Sequence, residues 1–185
     1  VAMRSSGVHS NGFSFVRRAL FDRAGFTVDT HIDELGSTVG EALLTPTALY
    51  TRPCLELAHT LGQSVHAFSH ITGGGIAANI ARVLPEHLHA NIERSTWRPQ
   101  PVFDIIAQAG AANPSDMELT FNLGIGMVAV LSPEAVDEAS AMLAESGVDA
   151  WVCGEVTDRA AGQRGDAEAK GGHGGSVSLV GRHER

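Results

Sequence analysis

The chain has 185 residues, of which 43% are hydrophobic and 18% are charged, and its formal net charge is −8 at pH 7. These values are typical of one globular domain with a buried core. They argue against a nucleic-acid partner, which needs a basic face, but not against a small anion bound by backbone N–H groups. No run spans a membrane and no signal segment opens the chain, so we expect no membrane partner and a cytoplasmic location.

Hydrophobic periodicity predicts helices and strands that alternate along the chain. Ser10 or Asn11 is available as the N-cap of the first helix, and Gly25 suits the position after its end. The predicted elements are, in chain order, a strand at 1–4, a helix at 13–24, an irregular segment at 41–47, a helix at 53–61, a strand at 64–71, a helix at 75–84, a strand at 88–94, a helix at 101–110, a strand at 123–131, a helix at 132–147, a strand at 151–156, a flexible glycine-rich loop at about 160–175 and an edge strand at 176–180.

These elements predict a single domain over residues 1–185 in the α/β or α+β class, with a mixed sheet and flanking helices. The two cysteines, Cys54 and Cys153, lack metal-type spacing, and we interpret them as reduced thiols. Among the nine histidines only His87 and His89 stand two apart, and we interpret both as solvated strand residues. We therefore expect no metal site in this chain.

The segment His70-Ile71-Thr72-Gly73-Gly74-Gly75 joins a predicted strand to a predicted helix. Glycines let the backbone approach a ligand closely, and the first N–H groups of a helix attract anions. The segment therefore predicts a phosphate site, although many glycine-rich turns are only turns. A second glycine loop, residues 5–12, also leads into a predicted helix.

Four motifs occur in a fixed order along the chain. They are Ser-Gly-Val-His-Ser-Asn-Gly at 6–12, Gly-Glu at 40–41 with Leu-Thr-Pro-Thr at 44–47, His-Ile-Thr-Gly-Gly-Gly at 70–75, and Phe-Asn-Leu-Gly-Ile-Gly-Met at 121–127. This series resembles the C-terminal half of aminoimidazole ribonucleotide synthetase, the phosphoribosylformylglycinamidine cyclo-ligase of purine biosynthesis. The resemblance extends to about Val156.

The resemblance implies an ATP- and Mg²⁺-dependent closure of the imidazole ring of formylglycinamidine ribonucleotide. ATP activates the formyl amide oxygen, and an internal nitrogen then attacks. The family has two α/β halves, with the active site between them and across a homodimer, and the N-terminal half supplies the metal-binding ATP segment.

The chain contains no match to that N-terminal half, so we expect a C-terminal fragment that is inactive alone and binds no cofactor tightly. Its expected partners are a phosphorylated small-molecule substrate, the missing N-terminal half and a second copy of the chain. Two alternatives stay open, a non-catalytic binding or interaction module and half of a related ATP-dependent kinase or synthetase.

The resemblance divides the candidate site residues into two groups. The candidate catalytic residues are His9, Asn11 and His70. The candidate substrate- or phosphate-binding residues are Ser10, Gly12, Thr72, Gly73, Gly74, Gly75 and Asn79.

Several of these residues also have a structural interpretation that stays open. Ser10, Asn11 and Thr72 are possible helix caps, since such side chains accept from free N–H groups. His70 is equally consistent with a hydrogen-bonded core histidine, and Asn79 with a packed asparagine. For Asn122 we favour a structural hydrogen bond.

Overall fold

The computed structural model describes residues 1–169 and 174–183. Over these residues the strands are β1 (Ala2–Arg4), β2 (His31–Ile32), β3 (Ser37–Thr38), β4 (Val65–His70), β5 (Leu88–Glu93), β6 (Ile125–Leu131), β7 (Ala150–Trp151), β8 (Gly154–Asp158), β9 (Ala167–Glu168) and β10 (Ser176–Val180). The helices are α1 (Phe13–Arg17), which continues as a π-helical turn (Arg18–Arg23), α2 (Val39–Leu43), α3 (Thr51–Leu61), α4 (Gly75–Val83), α5 (Pro101–Gly110), α6 (Pro114–Thr120) and α7 (Val136–Glu145). Short 3-10 turns lie at Gly62–Ser64, Arg94–Thr96 and Pro133–Ala135.

The first sheet has the strand order β4-β6-β1-β7, and β6 runs antiparallel to both of its neighbours. His70 at the end of β4 pairs with Met127, and Arg4 at the end of β1 pairs with Ile125. Because β1 and β4 run in the same direction, the loops that follow them leave the same edge of the sheet. The segment that precedes β6 enters at that edge too, so the register brings three of the four sequence motifs together.

The second sheet has the order β8-β5-β10-β9, with β5 and β10 parallel. Helix α4 contacts β4 of the first sheet and β9 and β10 of the second. Its buried Ile76 and Ile80 share one core cluster with Val128 of the first sheet and Val177 of the second. Burial of this apolar face therefore fixes the start of α4 beside the edge where the loops meet.

The predicted class is confirmed, because helices flank an antiparallel sheet and a mixed sheet. Most predicted elements lie where the periodicity placed them, and the helix at 101–110 has the predicted bounds. Gly25 has the expected left-handed φ of 69°, and Trp97 is buried against the core.

Three predictions about the C-terminal third are wrong. The strand at 151–156 is two strands, β7 and β8, which belong to different sheets. The predicted edge strand β10 lies between β5 and β9, so it is an interior strand. The loop at 160–175 contains the short strand β9, and its residues 170–173 lie outside the described residues.

His89 is not a solvated strand residue. Its side chain is 1% exposed, with Nδ1 2.6 Å from Ser176 Oγ and Nε2 3.2 Å from Asn91 Oδ1. Ala90 and Ile92 of β5 belong to the core cluster that includes α4, so His89 lies on the opposite face of the second sheet, beside Ser176. His87 precedes β5 and is exposed.

Candidate functional site

The two glycine loops are in direct contact. The backbone N–H of Gly73, in the loop after β4, donates to the side-chain oxygen Oδ1 of Asn11, in the loop after β1, at 3.0 Å. These residues are 62 positions apart in sequence. The contact therefore joins two motifs that sequence analysis recognised separately.

Neither Ser10 nor Asn11 caps the first helix, so that prediction is wrong. The N-cap of α1 is Gly12, which has φ 70° and makes no side-chain hydrogen bond. Glycine adopts this left-handed conformation without the strain that a Cβ brings. The Asn11 side chain is thereby left to reach the second loop, while Ser10 stays exposed.

Asn79 stabilises the glycine turn from inside. Its side chain is 4% exposed, and its Nδ2 donates to the carbonyl oxygens of Gly75 at 2.7 Å and Thr72 at 3.2 Å. The Thr72 hydroxyl donates to Asn79 Oδ1 at 3.2 Å and does not cap α4, so the cap interpretation of Thr72 is wrong. Asn79 is therefore packed and hydrogen-bonded, as the structural alternative for this residue predicted.

Two of the three turn N–H groups have partners. Gly73 donates to Asn11, and Gly75 donates to the Thr72 carbonyl at 3.2 Å. Within the described part of the chain, no hydrogen bond is formed by the Gly74 N–H. The Gly74 amide is therefore the turn donor that remains for an anion.

The motif at 121–127 supports the first loop through buried hydrogen bonds. Asn122 is fully buried, and its Nδ2 donates to the carbonyl oxygen of Gly7 at 2.9 Å. Its Oδ1 accepts from the Ser5 hydroxyl at 3.0 Å and from the Gly124 N–H at 2.9 Å. The expected structural hydrogen bond is confirmed.

His9 has an unusual conformation for a residue with a Cβ. Its φ is 59°, and its side chain is 6% exposed. The Ser6 N–H donates to Nε2 at 3.1 Å, so Nε2 is unprotonated and the neutral ring carries its proton on Nδ1. Nδ1 is buried and has no partner among the described residues. Such strain and an unpaired donor are typical of functional positions.

Tyr50 lies between the two candidate histidines. Its ring centroid is 6.3 Å from that of His9 and 6.4 Å from that of His70. Its hydroxyl donates to the Arg4 carbonyl at 2.7 Å, and burial raises the pKa of this phenol. No motif in the sequence indicated Tyr50, because its place depends on the close approach of Gly126, where a Cβ would overlap with the Tyr50 hydroxyl.

His70 is exposed, and its side chain takes part in no hydrogen bond that the described residues form. The interpretation of His70 as a hydrogen-bonded core histidine is therefore wrong. It lies at the loop edge of the first sheet, on the same side as His9.

A cleft of about 430 Å³ opens beside His9. Its lining brings the first loop together with the Leu-Thr-Pro-Thr motif and with α1. The lining residues are His9, Ser10, Phe13, Arg17, Leu43, Leu44, Thr45, Pro46 and Thr47. The Ser6 hydroxyl donates to the Pro46 carbonyl at 2.6 Å, which fixes one wall against the first loop. Glu41, at the start of the same segment, forms a capping box with Thr38.

Burial lowers the pKa of His9 below its ordinary value of 6.5, and the nearby charge of His70 lowers it further. The unfolded chain therefore binds the proton first as the pH falls. Above pH 6.5 this contribution to stability is fully present, and it is lost between 6.5 and the lowered folded-state pKa.

We expect the free energy of unfolding of the unchanged chain to rise with pH across that window, and His9→Asn to flatten the rise. Asparagine tolerates the left-handed backbone but does not titrate. Denaturant unfolding at a series of pH values measures the slope, with His59→Asn on the exposed face of α3 as the control. An unchanged slope in His9→Asn would contradict the neutral, buried state of His9.

Across 1–169 and 174–183, no three His, Cys, Asp or Glu residues come together in a way that would bind a metal ion. None of the helices in this part of the chain combines the length and apolarity needed to cross a membrane. Cys54 and Cys153 are free thiols, and burial raises the pKa of both.

Comparison with known proteins gives one family and a set of relatives. The family described as "AIR synthase related protein, C-terminal domain" matches residues 1–166. A Streptomyces fradiae protein, named provisionally as a phosphoribosylformylglycinamidine cyclo-ligase, is 52% identical over 181 residues, which are 98% of this chain and 94% of that protein.

Longer relatives also match most of this chain. The phosphoribosylformylglycinamidine cyclo-ligase of Sorangium cellulosum is 45% identical over 84% of this chain and 45% of its own length. That of Bifidobacterium longum subsp. infantis is 46% identical over 85% of this chain and 45% of its own length. The chain thus spans less than half of these two relatives. The family inferred from the four motifs is therefore confirmed. The chain belongs to the family of C-terminal domains of AIR synthase related proteins.

Proposed function

We propose that this chain is the substrate- and phosphate-binding half of a phosphoribosylformylglycinamidine cyclo-ligase, which forms aminoimidazole ribonucleotide in purine biosynthesis. The observation that carries the proposal is the hydrogen bond between Asn11 and Gly73, because it makes one site of the two glycine loops. The activity named for the relatives supports it.

In the proposed reaction, ATP supplies a phosphoryl group to the formyl amide oxygen of the substrate. A nitrogen of the same molecule then attacks that carbon, the imidazole ring closes, and inorganic phosphate leaves with the oxygen. The Gly73–Gly74 turn binds a phosphate, and Asn11 fixes the turn against the first loop. His9 and His70 flank the reacting amide. The neutral imidazole of His9 donates a hydrogen bond to it, and the exposed imidazole of His70 transfers a proton.

The remaining parts of the assembly belong to the same proposal. ATP and Mg²⁺ bind mainly to an N-terminal half, and the proposal assigns no metal ligand to this chain. A second copy completes a homodimer in the cytoplasm. Leu44, which lines the His9 cleft, and Leu49, which follows the lining segment, are 82% and 87% exposed, which suits a surface that another polypeptide covers.

The test is calorimetric titration of the chain with formylglycinamidine ribonucleotide. Separate titrations with thiamine monophosphate and with selenide, the substrates of related kinases and synthetases, serve as comparisons. We expect binding of the first ligand only. Gly74→Ala should abolish it, because alanine is strained at the φ of 98° that holds this turn, and the new methyl group would lie 3.5 Å from the Ala78 Cβ.

Gly147→Ala is the matched control for this substitution. Gly147 also has a positive φ, 71°, and a Cβ there would meet nothing within 4 Å. The control carries the same kind of backbone strain at the far end of α7 and should bind normally. Preference for thiamine monophosphate, or full binding by Gly74→Ala, would contradict the proposal.

A further inference from the structure

Arg82 extends back along α4 toward the glycine turn. Long helical side chains lean toward the helix N-terminus, so a residue two turns into α4 reaches its first turn. Arg82 Nη1 donates to Asn79 Oδ1 at 3.1 Å. Its Nη2 lies 3.7 Å from the point that a Cβ on Gly74 would occupy. The guanidinium is therefore beside the turn amide that has no partner.

The charge of Arg82 is not neutralised within the described residues. Arg82 is exposed, and no carboxylate of residues 1–169 or 174–183 lies within salt-bridge distance of it. Four arginines are paired: Arg4 with Asp149, Arg52 with Glu56, Arg94 with Glu118 and Arg159 with Glu168. Other described arginines, such as Arg17 and Arg98, also form no ion pair among these residues, so Arg82 is distinguished by its place beside the glycine turn. In a chain of net charge −8, a cation without a carboxylate partner beside a glycine turn favours an anionic ligand.

Asn79 fixes the turn and the guanidinium relative to each other. The same buried amide donates to the Gly75 carbonyl and accepts from Arg82. An exposed arginine ordinarily loses rotamer entropy when it binds a ligand. Here one of its N–H groups is already bonded to a buried side chain, so the guanidinium has less freedom to lose when its other donors bind a phosphate.

We propose that Arg82 binds the phosphate at the glycine turn together with the Gly74 amide, and that Asn79 is the positioning residue for both. This inference rests on the proposed function, because it names a side chain that completes the same site. Sequence analysis did not identify Arg82, since a single arginine in the last turn of a helix is usually a solvated residue.

The test measures the affinity of Arg82→Ala for formylglycinamidine ribonucleotide and for inorganic phosphate at several salt concentrations. We expect binding of both ligands to weaken about tenfold or more, since a charge-assisted hydrogen bond is removed. The salt dependence of binding should fall as well. Arg82→Lys, which keeps the charge but not the planar fork, should recover part of the affinity.

Arg164→Ala controls for the change in net charge, because Arg164 is exposed in the loop before β9. The unfolding midpoint of each variant shows whether it has folded. Normal binding by Arg82→Ala with loss of binding by Gly74→Ala would overturn the role of Arg82 and leave the proposed function in place. Equal weakening by Arg164→Ala would also overturn it. Absence of phosphate and substrate binding by the unchanged chain would count against both proposals.

Discussion

Gly75→Ala should destabilise the chain by about 3–5 kcal/mol, since it combines steric overlap with backbone strain. A Cβ on Gly75 would overlap with the carbonyl oxygen of Glu118 in α6, and the φ of Gly75 is 72°. A backbone carbonyl does not rotate away as a side chain does. The first turn of α4 and helix α6 would have to separate, which opens the core around Met117. Denaturant unfolding measures the loss.

Gly25→Ala separates the two causes. Gly25 has almost the same φ, 69°, but a Cβ there would meet nothing within 4 Å. We expect this control to lose only about 1–2 kcal/mol, the cost of a left-handed alanine. Equal losses in the two variants would show that α4 and α6 are not packed as closely as the structure has them.

Asn122→Ala should cost about 3–4 kcal/mol and should also release the loop that carries His9. The substitution leaves the Gly124 N–H without its buried partner, and leaves the Gly7 carbonyl and the Ser5 hydroxyl without their bonds to Asn122, although these two groups keep the 3.1 Å bond between them. The free energy of unfolding measures the first effect. Faster hydrogen exchange at residues 6–9 measures the second.

Asn113→Ala is the matched asparagine control. Asn113 caps α6 at the surface, where its Oδ1 accepts from the Asp116 N–H at 2.9 Å. Loss of an exposed cap costs about 1 kcal/mol, because water replaces the missing partner. If Asn122→Ala were as mild as this control, Asn122 would not be the central hydrogen-bonding residue under the first loop.

Local signals in the sequence were sufficient for most of the fold. Pro101 and Gly110 mark both ends of a helix with an apolar face, and the strand before Gly73 is short and alternating. The error at 151–156 has a tertiary cause. Val152 and Cys153 carry the chain from one sheet to the other, and an apolar run contains no mark of that change.

The candidate site was predicted in its parts but not in its geometry. The glycine loops were evident, whereas the contact of Asn11 with Gly73 depends on the register of β1 and β4 against β6. Tyr50 was missed because it reaches the site through Gly126, which is distant in the sequence. Arg82 was missed because a single arginine in the last turn of a helix is usually a solvated residue, and its bond to Asn79 has no sequence signal.

The proposed function requires that the two loops form one site for a phosphorylated substrate. The most direct test is titration of the ¹⁵N-labelled chain with formylglycinamidine ribonucleotide. Two-dimensional NMR spectra measure the shift of each backbone amide signal as the ligand is added. We expect the Gly73 and Gly74 signals and the His9 and Asn11 signals to shift together, with one dissociation constant. Shifts confined to one loop, or loops that stay unchanged at saturating ligand, would contradict it.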